Sequence, residues 1–413
     1  MNMTNTNLVN IESKPLFRSV TFNLIFLAGM FAMLGYSMYL ITVSWYVIND
    51  LNSPTSVGIV LVAATIPRLT TMVFGGALAD QYKKTTIMFV THLVQAIVLF
   101  GLYLFLMTDT LTFIVLLIIS ALFGFLDAFF GPASSSLIPK IVHKSQLQRA
   151  NSIYQGGNQV TFIIGPVIAG ALMQSGSVSL SFLVASVFIL ISAFLVYPKL
   201  IKEAEVEQTQ SKQSTWRNIK DGIKYVKHTH NLIIGIFIFI TLELCVIGPI
   251  QIAIPILVKF FDGTPIQLSI LEAGMGVGMI VGTILLSTFI FKRNRGALTI
   301  YGLLFIALVI ILISQANSLL ILTICTVLIG FGAVFIFVPF YTIAQESTHV
   351  DMMGRVMSIV YLASHGFAPV AFAIITPLVA TGIHIQHILL IAGIVCLLSG
   401  ILLYFNSRSY QRF

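Results

Sequence analysis

Residues 231–258 read NLIIGIFIFITLELCVIGPIQIAIPILV, an apolar run of 28 residues carrying a single charge, Glu243. Coiled at 1.5 Å per residue, it is long enough to cross the ~30 Å hydrocarbon core of a bilayer, where a helix satisfies its own backbone. Working outward, six apolar runs precede it, at about 19–47, 55–79, 86–107, 111–136, 152–174 and 179–198. Five follow it, at about 266–291, 297–314, 318–344, 354–380 and 386–405. The pattern predicts an all-α polytopic membrane protein of twelve spans. The first run is too long for a cleaved leader and has no small-residue cleavage site after it, so it stands as the first span.

Composition agrees. Hydrophobic residues make up 57% of the chain and charged ones 9%, against roughly 25% charged in a soluble domain. A net charge of +8 alone would suit a nucleic-acid binder, but the basic residues sit in short loops beside the spans, where they meet anionic head groups. With a cytoplasmic N-terminus, twenty of the 22 Lys and Arg fall on the cytoplasmic side; Lys259 lies outside and Arg68 within a span. This positive-inside bias places both termini in the cytoplasm, as expected for a multi-pass protein of a bacterial plasma membrane. Cys245, Cys325 and Cys396 all fall inside apolar runs at no metal or redox spacing, so neither a disulfide framework nor a metal site follows.

The long polar stretch at 199–230 divides the chain into six-span halves, 1–198 and 231–413. It begins acidic (Glu203, Glu205, Glu207), then sets Trp216, Ile219, Ile223, Tyr225 and Val226 against Lys220, Lys224 and Lys227. Two readings fit that amphipathic part: a helix on the inner leaflet, or a solvated connector. The halves repeat each other weakly. Pro132 is followed by Ile153 in ANSI, and Pro339 by Ile359 in VMSI, an offset of about 207 residues. Parallel six-helix halves are a transporter signature, with substrate held between them near the midplane.

Several motifs resemble the major facilitator superfamily. Gly76-Ala77-Leu78-Ala79-Asp80, followed by Lys83 and Lys84, is similar to its loop 2–3 signature, departing from it at Gln81, Lys83 and Thr85. Gly165-Pro166-Val167-Ile168-Ala169-Gly170 resembles the G-P-x-x-G-G motif of proton-driven exporters, with Ala169 for one Gly. The resemblance implies that Gly76, Asp80, Lys84, Gly165, Pro166 and Gly170 form a conformational latch. A narrower resemblance, to macrolide-efflux permeases and more distantly to enterobactin exporters, rests on three groups of residues. These are Phe261-Asp262-Gly263-Thr264-Pro265-Ile266 with Ser269, Glu272, Gly278 and Gly282; Gly131-Pro132-Ala133 with Pro139; and Gln345-Glu346 with Gly354-Arg355-Val356 and Ser358. Drug antiporters often carry a basic residue where this chain has Phe123; four residues on it has Asp127, more as in enterobactin exporters.

Ionisable groups inside spans cost on the order of 2.5–3.5 kcal/mol to insert, so each is a functional candidate. Counted from the polar ends of their spans, Arg68, Asp127, Glu243 and His365 all lie roughly 16–19 Å deep, in one layer. Asp127 and Glu243 are the expected proton carriers, with Arg68 as counter-charge and His365 as relay. The alternatives are a permanent Arg68–Asp127 pair, and a His365 that only hydrogen-bonds a neighbouring helix. His92 reads as structural. Glu272 suits either guidance of a cationic substrate outward or a plain helix-start carboxylate. Tyr36, Tyr39, Phe337 and Tyr341 are expected to line an apolar substrate cavity.

The resemblance thus implies secondary active export of a hydrophobic or amphiphilic compound, a macrolide-like drug, driven by inward proton flow. A dedicated siderophore or metabolite exporter is the other reading. The sequence holds no phosphate-binding G-x-x-x-x-G-K-[ST] and no H-E-x-x-H or G-x-S-x-G, so neither ATP use nor an intramembrane enzyme is expected. No cofactor is expected. The partners expected are a small-molecule substrate, protons and the lipid bilayer, not nucleic acid, and six plus six spans suit a monomer.

Overall fold

The computed structural model describes residues 16–81, 83–143, 146–201, 215–288, 294–349 and 352–412, and every span among them is helical. The first six spans comprise α1 (Val20–Asn49), α2 (Pro54–Gln81), α3 (Lys84–Met107), the pair α4 (Phe113–Asp127) and α5 (Phe130–Ile141), α6 (Leu147–Gln174) and α7 (Val178–Leu195). A connecting helix, α8 (Thr215–His228), leads into α9 (His230–Leu242), a π-helical segment Glu243–Ile247, and α10 (Gly248–Phe260). There follow α11 (Pro265–Thr288), α12 (Arg295–Ser314), α13 (Leu319–Glu346), the pair α14 (Met353–His365) and α15 (Ala368–Ala380), α16 (Ile385–Asn406) and a short α17 (Arg408–Gln411).

Among the described residues, ten stretches are long and apolar enough to cross a membrane by length and composition. Two further crossings complete the twelve. One is α2, which carries Pro67 and Arg68; the other is the fourth span, divided between α4 and α5.

Three spans are interrupted, each beside an ionisable side chain. Asp127 ends α4, Glu243 opens the π segment, and His365 ends α14. A proline follows each within two turns. Pro132, Pro249 and Pro369 have no N–H to offer the carbonyls of Ala128, Cys245 and His365, four residues back, so the α ladder fails there. Irregular backbone at membrane depth is tolerated where protein buries it or where it lines a cavity.

Within the first set, α1 packs on α6 and α7, α3 on α7, and α2 on α4; within the second, α11 packs on α13, α12 on α13, and α12 on α16. The sets meet along two seams, α6 against α11 and α2 against α15. Both seams are tight because small residues line them. A methyl added at Gly170 would strike Ser269, one at Gly276 would strike Ile163, and one at Gly58 would strike Thr376. At the end away from the basic loops, Lys259 donates to Asn49 Oδ1 at 3.0 Å, joining α10 to α1. The first half of the eleventh span, α14, turns to α8 and α9 instead of to α2. The two sets are therefore closed together at the face away from the basic loops and splay toward the basic face.

The connecting helix rests on protein. Tyr225 Oη donates to the Ser347 carbonyl at 3.1 Å and accepts from the His349 N–H at 3.2 Å, while Asp221 pairs with Arg355 at 3.2 Å. Lys220, Lys224 and Lys227 stay exposed on its other side.

Candidate functional site: a charged cluster between the helix sets

The site begins with one close helix contact. Gly124 lies so near the Ala64 carbonyl that an added Cβ would sit 2.8 Å from its carbon. One turn further along each helix come Asp127 and Arg68, and the approach brings Arg68 Nε to 2.9 Å from Asp127 Oδ2. Arg68 Nη1 also donates to Tyr36 Oη at 2.7 Å, and its guanidinium carbon lies 4.9 Å from the Tyr36 ring centroid. Gln95 of α3 lies in electrostatic reach of the carboxylate and donates to the Phe123 carbonyl at 3.2 Å. These contacts tie α1, α2, α3 and α4 into one polar knot.

The knot faces the other helix set. Tyr361 and His365, one turn apart on α14 and stacked at 4.6 Å, lie within electrostatic reach of Arg68. Both are exposed, and the Arg68 side chain is 36% exposed, so the cluster borders an open space and not a packed core. Behind His365, its Nδ1 meets Ser364 Oγ at 2.9 Å, and that hydroxyl meets Tyr341 Oη at 3.1 Å. A polar chain thus runs from Arg68 across the space to α13.

Glu243 stands apart. It is buried, and its carboxyl group faces the N–H of Ala368, the first residue of α15. The π segment therefore aims a carboxyl group at the open amide end of the helix that restarts after His365. Gly248 lets the two broken spans meet against Ala371.

A family model described as Major Facilitator Superfamily matches residues 25–369. The chain belongs to the Major Facilitator Superfamily. It is a multi-pass membrane transporter and not an enzyme. Among curated relatives, it is 25% identical to a putative bacilysin exporter of Bacillus subtilis, over 73% of this chain and 74% of that one. It is 25% identical to macrolide efflux protein A of Streptococcus pyogenes, over 65% of this chain and 67% of that one. Its fold matches a solved bacterial homologue of the human lysosomal transporter Spinster, in an inward-facing and unoccupied conformation, at a TM-score of 0.72. That match has 14% identity and covers 97% of this chain and 99% of that one.

Within this superfamily fold the residues expected from sequence divide. Arg68, Asp127 and His365 come together; Glu243 serves a separate cap. Tyr36 reaches the cluster, and Phe337 and Tyr341 are half-buried around Phe239. Tyr39 departs from expectation: it is fully buried against Phe123 and Phe182 and lines no cavity, although it packs on the same Phe123 ring as Tyr36. A methyl at Gly165 would strike Ser37 of α1, in its own half, whereas one at Gly170 would strike Ser269 of the opposite half. Pro166 is buried within α6, and Lys84 is buried at the start of α3. The side chain of Asp80 and the surroundings of Gly76 lie outside the described residues. His92 is structural as expected, holding Ser192 at 2.8 Å and stacking on Phe130.

Sequence reasoning missed Gln95, Tyr361 and Ser364. Tyr361 had a signal, four residues before His365 and hence on the same face of the helix. Gln95 had none.

The stretch after α10 also gains a physical reading. Asp262 adopts a left-handed φ of 52° that turns the chain, and Thr264 N–H donates to Gln267 Oε1 ahead of Pro265 at the helix start. Gly278 and Gly282 then let α11 lie against the backbone of α13. Glu346, from the motif at the end of α13, holds Arg295 Nη1 with both carboxylate oxygens at 2.7 Å.

Proposed function

We propose that the protein is a proton-driven exporter of hydrophobic or amphiphilic small molecules, macrolide-like drugs among them, in a bacterial plasma membrane. The observation that carries this is the Arg68–Asp127 pair, bordered by open space and in electrostatic reach of Tyr361 and His365 on the opposing helix set. An ion pair spanning only the first set can loosen when the second set moves, and a freed carboxylate takes up a proton. Asp127 is the principal proton carrier, Arg68 its counter-charge and His365 a relay. Glu243 is a second carrier, whose protonation would release the start of α15. The halves 1–198 and 231–413 rock about the two seams, with 199–230 as the linker and Gly76, Asp80, Lys84, Gly165, Pro166 and Gly170 at the latch. With the basic loops and both termini in the cytoplasm, the conformation is inward-facing. The proton gradient alone supplies the energy, and a monomer encloses the whole path.

The relative named as a bacilysin exporter supports a second reading, export of a metabolite. Accumulation of a labelled 14-membered macrolide in drug-sensitive cells separates the two. Low accumulation that is lost with Asp127→Asn or with a protonophore is the expected result. Accumulation equal to that of empty-vector cells removes macrolides and moves the metabolite reading forward.

A further inference from the structure

Three acidic side chains with described surroundings lie within the spans, and two are compensated. Asp127 has Arg68 and Gln95, and Glu243 has the Ala368 amide. Glu272 of α11 has no hydrogen-bond or ion-pair partner among the described residues. It is half-buried two turns into its helix.

Helical phase tells which way it points. Ile270, Val277, Ile280, Val281 and Ile284 are exposed and mark the lipid-facing side of α11. At 100° per residue, Glu272 falls on the opposite side, with Met275 and Met279. Its neighbours in the ladder fix its height: Ser269 touches Gly170 one turn toward the closed end, and Gly276 touches Ile163 one turn toward the open end. At the level of Met279, Gln159 reaches its sulfur from α6 at 3.8 Å. Glu272 thus edges the central space beside a seam between the helix sets, just inside the closed face.

We propose that Glu272 is a recognition site for the positive charge of a hydrophobic cation, engaged at the far end of the transport path. A half-buried carboxylate without a partner at membrane depth is costly until a cation completes it. Apolar Met275 and Met279 beside it suit a hydrophobic body of variable shape, because unbranched thioethers repack readily. The site lies against the α6–α11 seam, so opening of that seam exposes the carboxylate to water and weakens the pair, releasing the cation on the far side. The proposal deepens the exporter reading and rests on it for direction, but binding itself does not require transport.

The test is carbodiimide labelling of Glu272 in the purified full-length protein in nanodiscs, read by mass spectrometry. Tetraphenylphosphonium and the uncharged triphenylphosphine oxide serve as matched competitors. The cation is expected to lower labelling about tenfold relative to the neutral compound, the equivalent of one charge-assisted contact of roughly 1.4 kcal/mol. In cells, Glu272→Gln is expected to lose tetraphenylphosphonium export while Glu272→Asp retains part of it. Equal protection by both compounds, or by neither, overturns the assignment. Wild-type efflux that ignores a protonophore sinks the exporter reading instead and leaves the labelling result standing.

Discussion

Gly124→Ala is a single methyl placed where the charged cluster is built. The new Cβ would lie 2.8 Å from the Ala64 carbonyl carbon, short of the 3.4 Å at which ordinary contact begins, and closer still to the oxygen. Backbone, not a flexible side chain, opposes it, so α4 and α2 must separate by about 1 Å, an overpacking cost of typically 1–3 kcal/mol. One turn away, that displacement lengthens the 2.9 Å Arg68–Asp127 contact to roughly 4 Å. With an effective dielectric of about 20, the attraction weakens by on the order of 1.5 kcal/mol. The expected phenotype is a protein that inserts and folds, melts at a lower temperature in detergent, and loses most macrolide export. Gly131→Ala is the control on α5, where nothing lies within 4 Å of the added Cβ. It should leave export unchanged and raise stability by up to about 1 kcal/mol through helix propensity. Wild-type export and melting for Gly124→Ala would refute the idea that this contact sets the ion pair.

Further outcomes follow from other contacts. Glu243→Gln keeps an acceptor for the Ala368 amide and should melt near the wild type while losing pH-driven transport. Glu243→Ala removes the acceptor and should lose about 1–2 kcal/mol, read by thermal shift in detergent. Gly170→Val wedges the α6–α11 seam at Ser269 and should shift the population toward the conformation open at that face. The check is thiol labelling at a cysteine placed at Gln267, and unchanged labelling would count against the seam as a gate. Tyr225→Phe removes the hydroxyl that bridges Ser347 and His349, worth about 1 kcal/mol, and should speed proteolysis within α8 while sparing the helix bundle.

Much of this was legible from residue type and order. Apolar runs such as 231–258 announced spans, because length against bilayer thickness is a one-dimensional test. The Lys and Arg positions set the expected orientation by the same kind of count. Arg68, Asp127, Glu243 and His365 stood out because charge is rare where water is absent. The helix interruptions did not announce themselves. Pro132, Pro249 and Pro369 lie at breaks, yet Pro67, Pro166, Pro255, Pro339 and Pro377 sit inside continuous helices. The residue removes one hydrogen bond in every case, and whether the helix then breaks depends on what the neighbouring helices offer the freed carbonyl.

Span number, the division at 199–230 and the depth of each ionisable residue belong to the sequence, since each depends only on position along the chain. Partnership belongs to the tertiary structure. Asp127 and Glu243 share a depth, but one meets a guanidinium and the other a helix amide. Tyr36 and Tyr39 share a helix, but one reaches the cluster and the other fills the core. Which face of a uniformly apolar helix looks inward is settled by the packing of its neighbours, because a helix apolar on every side carries no stripe to orient it.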